Sequence, residues 1–481
     1  MRLSEQTRAE LPATVRQPAY DRAATTHGIV HLGVGAFHRA HQAAYVEECL
    51  AAGESGWAIL GASLRRGDTR DALAPQDGLY TLAIRSGETE RLDVIGSITR
   101  LLVAPEDPGA LLAAMADPAV RIVTLTVTEK AYLRNADGDL DAAHPEIVAD
   151  LADPAHPRTL HGFIVEALAR RRAAGVAPFT VLSCDNLPNN GRTTRRVIAA
   201  FARLRAADLG RFVEEEVAFP SSMVDRIVPA TTDADRARVA ATCGMDDAWP
   251  VMTEPFMQWV VEDQFPAGRP DWERFGVTMV ADVTPYEEMK LRLLNGTHSS
   301  IAYLGQLLGR ETVAEAFADP AIRRFVEALW QDFIVTLPAG VGLDTADYIA
   351  RLAERYANTA LRHRTAQIAN DGSQKLPQRI VAATLERMER GLPIDRSAFV
   401  LAAWITALEA RGTPPAFTDP LDGILAPIFA AAGPEKETVA AVFEAAGLAA
   451  GSGHRDGLVD ATARALAAIR RDGAAAALSA L

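Results

Sequence analysis

The stretch IVHLGVGAFHRAH, residues 29–41, decides how the first half of the chain folds. An apolar run ends in Gly33 and Gly35, and a helical pattern, HRAHQAAYVEECLAAG, follows at once. A strand that ends in GxG before a helix permits a tight turn. It also lets a pyrophosphate approach the backbone, with its charge facing the helix N-terminus. His38 stands where the usual fingerprint has its third glycine. GxG alone also fits a plain tight turn. The strand before it, the helix after it and its place near the N-terminus favour dinucleotide binding. His38 and His41 share the i, i+3 spacing of a helical metal pair. No carboxylate or cysteine stands near them to complete a site, so a structural or phosphate-side role fits better.

The pattern repeats outward from this stretch. WAILGAS (57–63), VRIVTLTV (120–127), FTVLSCD (179–185) and GVTMVADV (276–283) are short apolar runs, each expected to be a buried strand of a largely parallel sheet. Helical segments lie between them, for example TTRRVIAAFARLRAADLG (193–210). Alternation of this kind predicts an α/β, Rossmann-like doubly wound domain over residues 1–283. After Asp282 the pattern changes. FVLAAWITALEARG and ETVAAVFEAAG have helical periodicity and glycine stops, and no convincing strand follows. Residues 284–481 are therefore expected to form a mainly α-helical substrate and catalytic domain. TPYE marks its start: Thr284 as N-cap, Pro285 at the first helical position and Glu287 three residues after the cap.

Composition narrows the function. A chain of 481 residues needs more than one domain, and 49% hydrophobic residues suffice for full cores. A net charge of −13 repels phosphate backbones, which argues against nucleic acid as a partner. No signal-peptide core opens the chain and no uncharged apolar run is long enough to span a bilayer, so no membrane role is expected. The three cysteines, Cys49, Cys184 and Cys243, match neither zinc spacing nor a disulfide framework. That points to a reducing, cytoplasmic setting and to no metal. An acidic two-domain chain is compatible with a monomer.

The first long helix of the second half, KLRLLNGTHSSIAYLG (290–305), carries the chemistry. At about 100° per residue, Glu287, Lys290, Asn295 and His298 share an arc with Leu291, Leu294, Ile301, Ala302 and Gly305. A snorkelling lysine and a satisfied core histidine would be the ordinary explanation. The lysine, the amide and the imidazole on one apolar face all need partners, however. A desolvated lysine can be neutral near pH 7 and act as a base. Asn295 can donate to a developing alkoxide, and His298 can orient an alcohol. Gly296, on the far side, suggests close backbone packing.

The motifs GVGAFHRAHQ, TVTEKAY, SCDNLPNNG, FPSSMVDRIVP, EPFMQWVVED, TPYEEMKLRLLNGTHS and DGSQKLPQR run in order over roughly residues 30 to 380. With them the chain resembles the mannitol dehydrogenase family of polyol-specific long-chain dehydrogenases, which includes mannitol 2-dehydrogenases and fructuronate (mannonate) reductases. The resemblance implies a zinc-free enzyme in which Lys290 is the general base. It implies that Asn186 and Asn295 form an oxyanion hole, that His298 and Asp225 contact substrate, and that Glu287 is a gating carboxylate beside the lysine. Cofactor-side candidates are Gly33, Gly35, Phe37, Arg39, Asp68 and Glu129. After the second strand, LRRGD offers Asp68 for a ribose, while Arg65 and Arg66 suit a 2′-phosphate or solvent; NAD is preferred to NADP.

Substrate is the finer question. Mannitol-specific members tend to carry an arginine where QIANDGSQK has Gln367. That makes a sugar acid, mannonate or fructuronate, the expected small-molecule substrate, with Lys375 and Arg364 toward its carboxylate. The alternatives are the same chemistry on mannitol or arabinitol, and a sensor that kept the fold without turnover.

Overall fold

The computed structural model describes residues 1–135, 137–338, 342–412 and 415–481. The chain forms two compact units, Met1–Thr284 and Pro285–Leu481.

The first unit is built on five parallel strands: β1 (His27–Leu32), β2 (Ala58–Ser63), β5 (Ile98–Val103), β6 (Ile122–Leu125) and β7 (Thr180–Ser183). Their order across the sheet is β5-β2-β1-β6-β7. The order reverses between β1 and β6, which pair from Ile29–Ile122 to Leu32–Leu125. A doubly wound sheet binds ligands beyond the carboxyl ends of its strands at such a reversal. Alternation along the strands feeds two cores. Val30, Leu60, Val123 and Val181 pack with Phe163 and Ile164 from the helix Leu160–Ala173. Ile29, Ile59, Ile122 and Leu182 pack with Tyr45 and Val46 from the helix Gln42–Ala51. Both faces are covered, which is why these strands read as continuous apolar runs.

Two small sheets complete the unit. Strands β3 (Tyr80–Ser86) and β4 (Thr89–Ile95) form an antiparallel hairpin, and β9 (Val251–Thr253) runs parallel to β3. Strand β10 (Gln258–Glu262) lies between antiparallel β8 (Ser222–Asp225) and parallel β11 (Thr278–Val280). Here one expectation is corrected. GVTMVADV supplies β11, a partly exposed strand of this small sheet; the fifth place in the central sheet belongs to β5, ITRLLV.

The second unit has no strand among the described residues. Its core gathers Ile301, Trp330, Phe333, Phe399 and Trp404 from the helices Thr297–Leu307, Pro320–Ile334 and Asp395–Ala410. Its first helix opens at Thr284. The Asp282 carboxylate accepts from the Thr284 N–H at 3.0 Å and from its hydroxyl at 2.7 Å, so an acid upstream of the expected cap holds the start.

The helix is not uniformly α. Lys290–Gly296 is a π-helix, and so is Pro377–Val381. A π turn shifts hydrogen bonds from i−4 to i−5 and is uncommon outside functional sites. Side chains cover the carbonyls at this turn. Trp330 Nε1 and the Thr297 hydroxyl donate to the Leu293 carbonyl at 3.0 and 2.5 Å. Tyr356 donates to the Leu294 carbonyl at 3.0 Å. The wider turn also means that a uniform 100° wheel does not hold across Lys290–Asn295.

Candidate active site

In the first unit the site begins at the glycine turn. Gly33 has φ +98°, and a Cβ there would stand 2.2 Å from the Thr126 carbonyl oxygen. Both the backbone angle and this contact between the ends of β1 and β6 demand glycine. Gly35 caps the helix Ala36–Ala40. A Cβ there would meet only the Gly33 carbonyl, at 3.9 Å, so the space above it is open. A pocket of ≈ 280 Å³ opens here, lined by Gly33, Gly35, Ser63, Arg65, Thr126 and Leu160 among others. This open cradle at the sheet's reversal fits a dinucleotide's pyrophosphate.

The histidines beside the turn serve the protein. His31 makes hydrogen bonds with Thr124 at 2.7 Å and Thr126 at 2.9 Å, and His38 stacks on it with ring centroids 3.3 Å apart. Burial pushes His31 down to about 3 and His38 well below the usual histidine range. His41 Nε2 is 2.8 Å from the Gln258 carbonyl. No metal-binding group of three such residues occurs among the described residues.

The other cofactor-side candidates divide. Phe37 is half-buried and stacks on His41 at 5.0 Å. Arg39 is 2% exposed; its guanidinium donates to the Trp249 carbonyl at 2.5 Å and packs on Tyr80. Its side chain is a core strut. Asp68 is exposed at the start of the helix Asp68–Leu73 and pairs with Arg66 at 2.6 Å. The neighbouring Thr69 hydroxyl donates to the Val34 carbonyl at 3.2 Å, which brings this helix start beside the glycine turn. Glu129 is exposed after β6, following Thr128 at φ +71°.

Two residues outside the sequence expectations hold these loops. The Asp185 carboxylate accepts from the N–H groups of Val127 and Thr128 at 3.1 and 2.9 Å and from the Tyr132 hydroxyl at 2.8 Å. Burial raises its pKa, against those three donors. The buried Asn190 amide donates to the carbonyls of Asp185 and Ser222 and accepts from Ser222 N–H. Asn186, exposed, sits between these two anchors. Asp225 is 6% exposed at the end of β8, while Arg226 donates to the Glu254 and Ala40 carbonyls. The only signal for Asp185 and Asn190 was their place in SCDNLPNNG, after a buried strand.

In the second unit Lys290 is 7% exposed at the start of the π turn, and His298 lies on the α-helix that continues it. Glu287 and Asn295 are half-buried on the same helix. The His298 ring stacks on Tyr356 at 5.3 Å and meets His363 edge-on at 4.9 Å. Burial, then His363, Arg379, Arg355 and Lys375, hold His298 well below its usual pKa, so it is neutral. Its Nε2 is buried without a hydrogen-bond partner among the described residues. A buried polar atom of this kind suits a ligand hydroxyl. Lys375 donates to the Asn370 carbonyl at 2.7 Å and lies 3.7 Å from Asp371; burial lowers its pKa first, and Arg379 next. Arg364 is exposed at the start of the helix Thr365–Ala369. Arg355, Tyr356 and His363 escaped the sequence expectations because they lie far along the chain from His298.

A glycine turn at the reversal of a doubly wound sheet, followed by a helical unit carrying a buried lysine, defines a two-domain oxidoreductase. The chain belongs to the mannitol dehydrogenase family. It matches the family's Rossmann domain over residues 27–274 and its C-terminal domain over residues 282–470. It is 44% identical over 424 residues to a mannitol 2-dehydrogenase of Aspergillus fumigatus, covering 85% of this chain and 84% of that protein. The structure of Pseudomonas fluorescens mannitol 2-dehydrogenase in ternary complex with NAD and D-mannitol superposes with a TM-score of 0.87 at 39% identity, over 100% of this chain and 99% of the other. A substrate-free D-sorbitol dehydrogenase gives 0.88 at 35% identity, over 99% and 100%. These relatives favour a polyol over the sugar acid expected from Gln367, so the order of the two substrate readings is reversed.

Proposed function

We propose that the chain is an NAD-dependent dehydrogenase that interconverts a polyol and its ketose, with mannitol and fructose the leading pair. The observation that carries the chemistry is the buried pair on one helix: Lys290, and a neutral His298 whose Nε2 is unpartnered. Support for the substrate comes from the mannitol 2-dehydrogenase relatives, one of them bound to NAD and D-mannitol.

The roles follow from the groups. When bound, the nicotinamide accepts or returns the hydride. Gly33 and Gly35 leave room for its pyrophosphate. Lys290, desolvated, takes the hydroxyl proton as general base. Asn295 and, by the family resemblance, Asn186 are amide donors to the developing alkoxide. His298 holds a hydroxyl through Nε2, and its burial among cations keeps it from competing for the proton. Asp225 is assigned to substrate hydroxyls and Glu287 to gating beside the lysine. Lys375, bound to the Asn370 carbonyl and near Asp371, already has partners; a carboxylate there would meet Asp371 as a like charge.

Absorbance at 340 nm tests the reading. NADH formation with mannitol, arabinitol and mannonate, and NADH consumption with their ketones, should show a preference for mannitol and fructose. A preference for mannonate would restore the sugar-acid reading. NADH binding without turnover on any of them would leave a sensor.

A further inference from the structure

We propose that Glu146 selects NAD over NADP by occupying Arg65 and by keeping a negative charge where a 2′-phosphate would approach it, an inference that rests on the dinucleotide reading above. In doubly wound folds the end of the second strand commonly supplies an acid to the adenosine ribose, whereas an arginine nearby receives a 2′-phosphate. Here β2 ends at Ser63 and continues into Leu64, Arg65 and Arg66. The strand end therefore offers two cations ahead of its carboxylate, Asp68.

Arg65 is already taken. Its guanidinium donates to both Glu146 oxygens, at 2.5 and 2.8 Å. Glu146 arrives from the helix Pro145–Ala152 and is the more buried partner, its side chain 27% exposed against 64% for Arg65. The pair stands on a boundary. Leu64, Arg65, Glu146 and Arg158 line the ≈ 280 Å³ pocket at the glycine turn, and they also line a second pocket of ≈ 520 Å³ bordered by Ala104 and Pro105 after β5. In this fold the ends of β1 and β6 take the pyrophosphate, so a wall between that pocket and the ends of β2 and β5 is the place for the adenosine ribose. Arg66 has its own carboxylate, Asp68, at 2.6 Å.

A fork engaged at both carboxylate oxygens has lost the geometry it would offer a phosphate. Exposed pairs of this kind open at small cost, so occupation alone would not exclude NADP. The charge matters more. When Arg65 turns to a phosphate, the Glu146 carboxylate stays in the groove and repels it. NAD, with a neutral 2′-hydroxyl, meets no such penalty and can donate to the same carboxylate.

The test is equilibrium binding. Kd for NADH and for NADPH is read from nucleotide fluorescence with wild-type protein, Glu146→Gln and Glu146→Ala, each checked for folding by its melting temperature. Wild type should bind NADH more tightly. Both variants should shift the NADPH-to-NADH Kd ratio toward NADPH by about tenfold or more, the scale of a charge-assisted hydrogen bond. Arg65→Gln added to Glu146→Gln should reduce that gain, because the repulsion stays relieved while the attracting guanidinium is gone. Wild-type protein that binds both nucleotides equally, a ratio unchanged in both variants, or a gain undiminished by loss of Arg65 would each overturn the proposal. Failure of wild type to bind either nucleotide would instead overturn the dehydrogenase reading, and this inference with it.

Discussion

Gly296 lies against the backbone of Arg379: a Cβ at Gly296 would come within 2.8 Å of the Arg379 carbonyl oxygen and 3.1 Å of Phe333 Cε2. The two residues belong to the two π segments, Lys290–Gly296 and Pro377–Val381. At Gly296 the widened turn that carries Lys290 and Asn295 thus meets the backbone of a second widened turn. The backbone contact fixes which way the lysine turn faces.

Gly296→Ala should therefore lower both stability and turnover. In an exposed helix alanine gains about 1 kcal/mol over glycine. Here the new methyl presses on a carbonyl that cannot swing away, and overpacking costs about 1–3 kcal/mol. The second effect wins. Gly423, in the helix Asp422–Ala430, is the control, because a methyl added there would meet no atom within 4 Å. Melting temperature should fall in Gly296→Ala and hold or rise in Gly423→Ala. A kcat equal to wild type in Gly296→Ala would mean that the π packing does not set the lysine's position.

Lys290→Ala should remove most turnover and leave NADH binding close to wild type. The glycine turn lies in the first unit and depends on Gly33, Gly35 and Thr126. Loss of a general base costs about 100- to 10,000-fold. Steady-state kcat and NADH titration measure the two effects separately. Near-normal kcat would remove Lys290 from the base role.

Much of this was legible in sequence, for a physical reason. β1, β2, β6 and β7 are covered on both faces, so each is a compact apolar run. β5 was missed because, unlike the other edge strand β7, it is incompletely covered: Thr99, Leu101 and Leu102 are half-buried and Arg100 is exposed. The β3–β4 hairpin was missed because the half-exposed TERLDVI carries charges through its alternation. GVTMVADV misled in the opposite direction: an apolar run need not be central. The face bearing Lys290, Asn295 and His298 was visible, but the π turn was not, since its hydrogen bonds depend on Trp330, Thr297 and Tyr356. The packing of Arg39 was not legible, because a motif gives adjacency, not direction; its partner, Trp249, is remote in sequence.

Acid should destabilise the fold through buried neutral histidines. Burial holds His31 and His161 each at about 3. The unfolded chain takes up a proton near pH 6.5 and the folded one does not, so the unfolded state binds more protons between about pH 6.5 and 3. Stability contributed by these groups is complete above pH 6.5, falls as pH drops and levels near pH 3. At pH 4.5 each histidine should cost roughly 2–3 kcal/mol relative to neutral pH. His161 Nε2 lies 3.1 Å from the Tyr132 carbonyl, so His161→Gln can keep a donor there without titrating. The gap between melting temperatures at pH 7 and pH 4.5 should narrow in that variant. An unchanged gap would show that other groups carry the acid response.

Lys375→Met separates the two substrate readings. If the ammonium serves a polyol, directly or by shaping the Asn370–Asp371 turn, mannitol and mannonate should lose kcat/KM by the same factor. The turn supports that expectation, since Lys375 donates to the Asn370 carbonyl and has Asp371 at 3.7 Å. If it serves a carboxylate, mannonate should lose about ten- to a hundredfold more, the worth of a charge-assisted contact. His298 should stay neutral in either case, because burial is the first cause of its lowered pKa and Lys375 only the last of the cations beside it. The pH profile of kcat should therefore not move, which isolates substrate contact from any change at the histidine. Comparable losses on both substrates are the expected result; a selective loss on mannonate would return the sugar acid to first place.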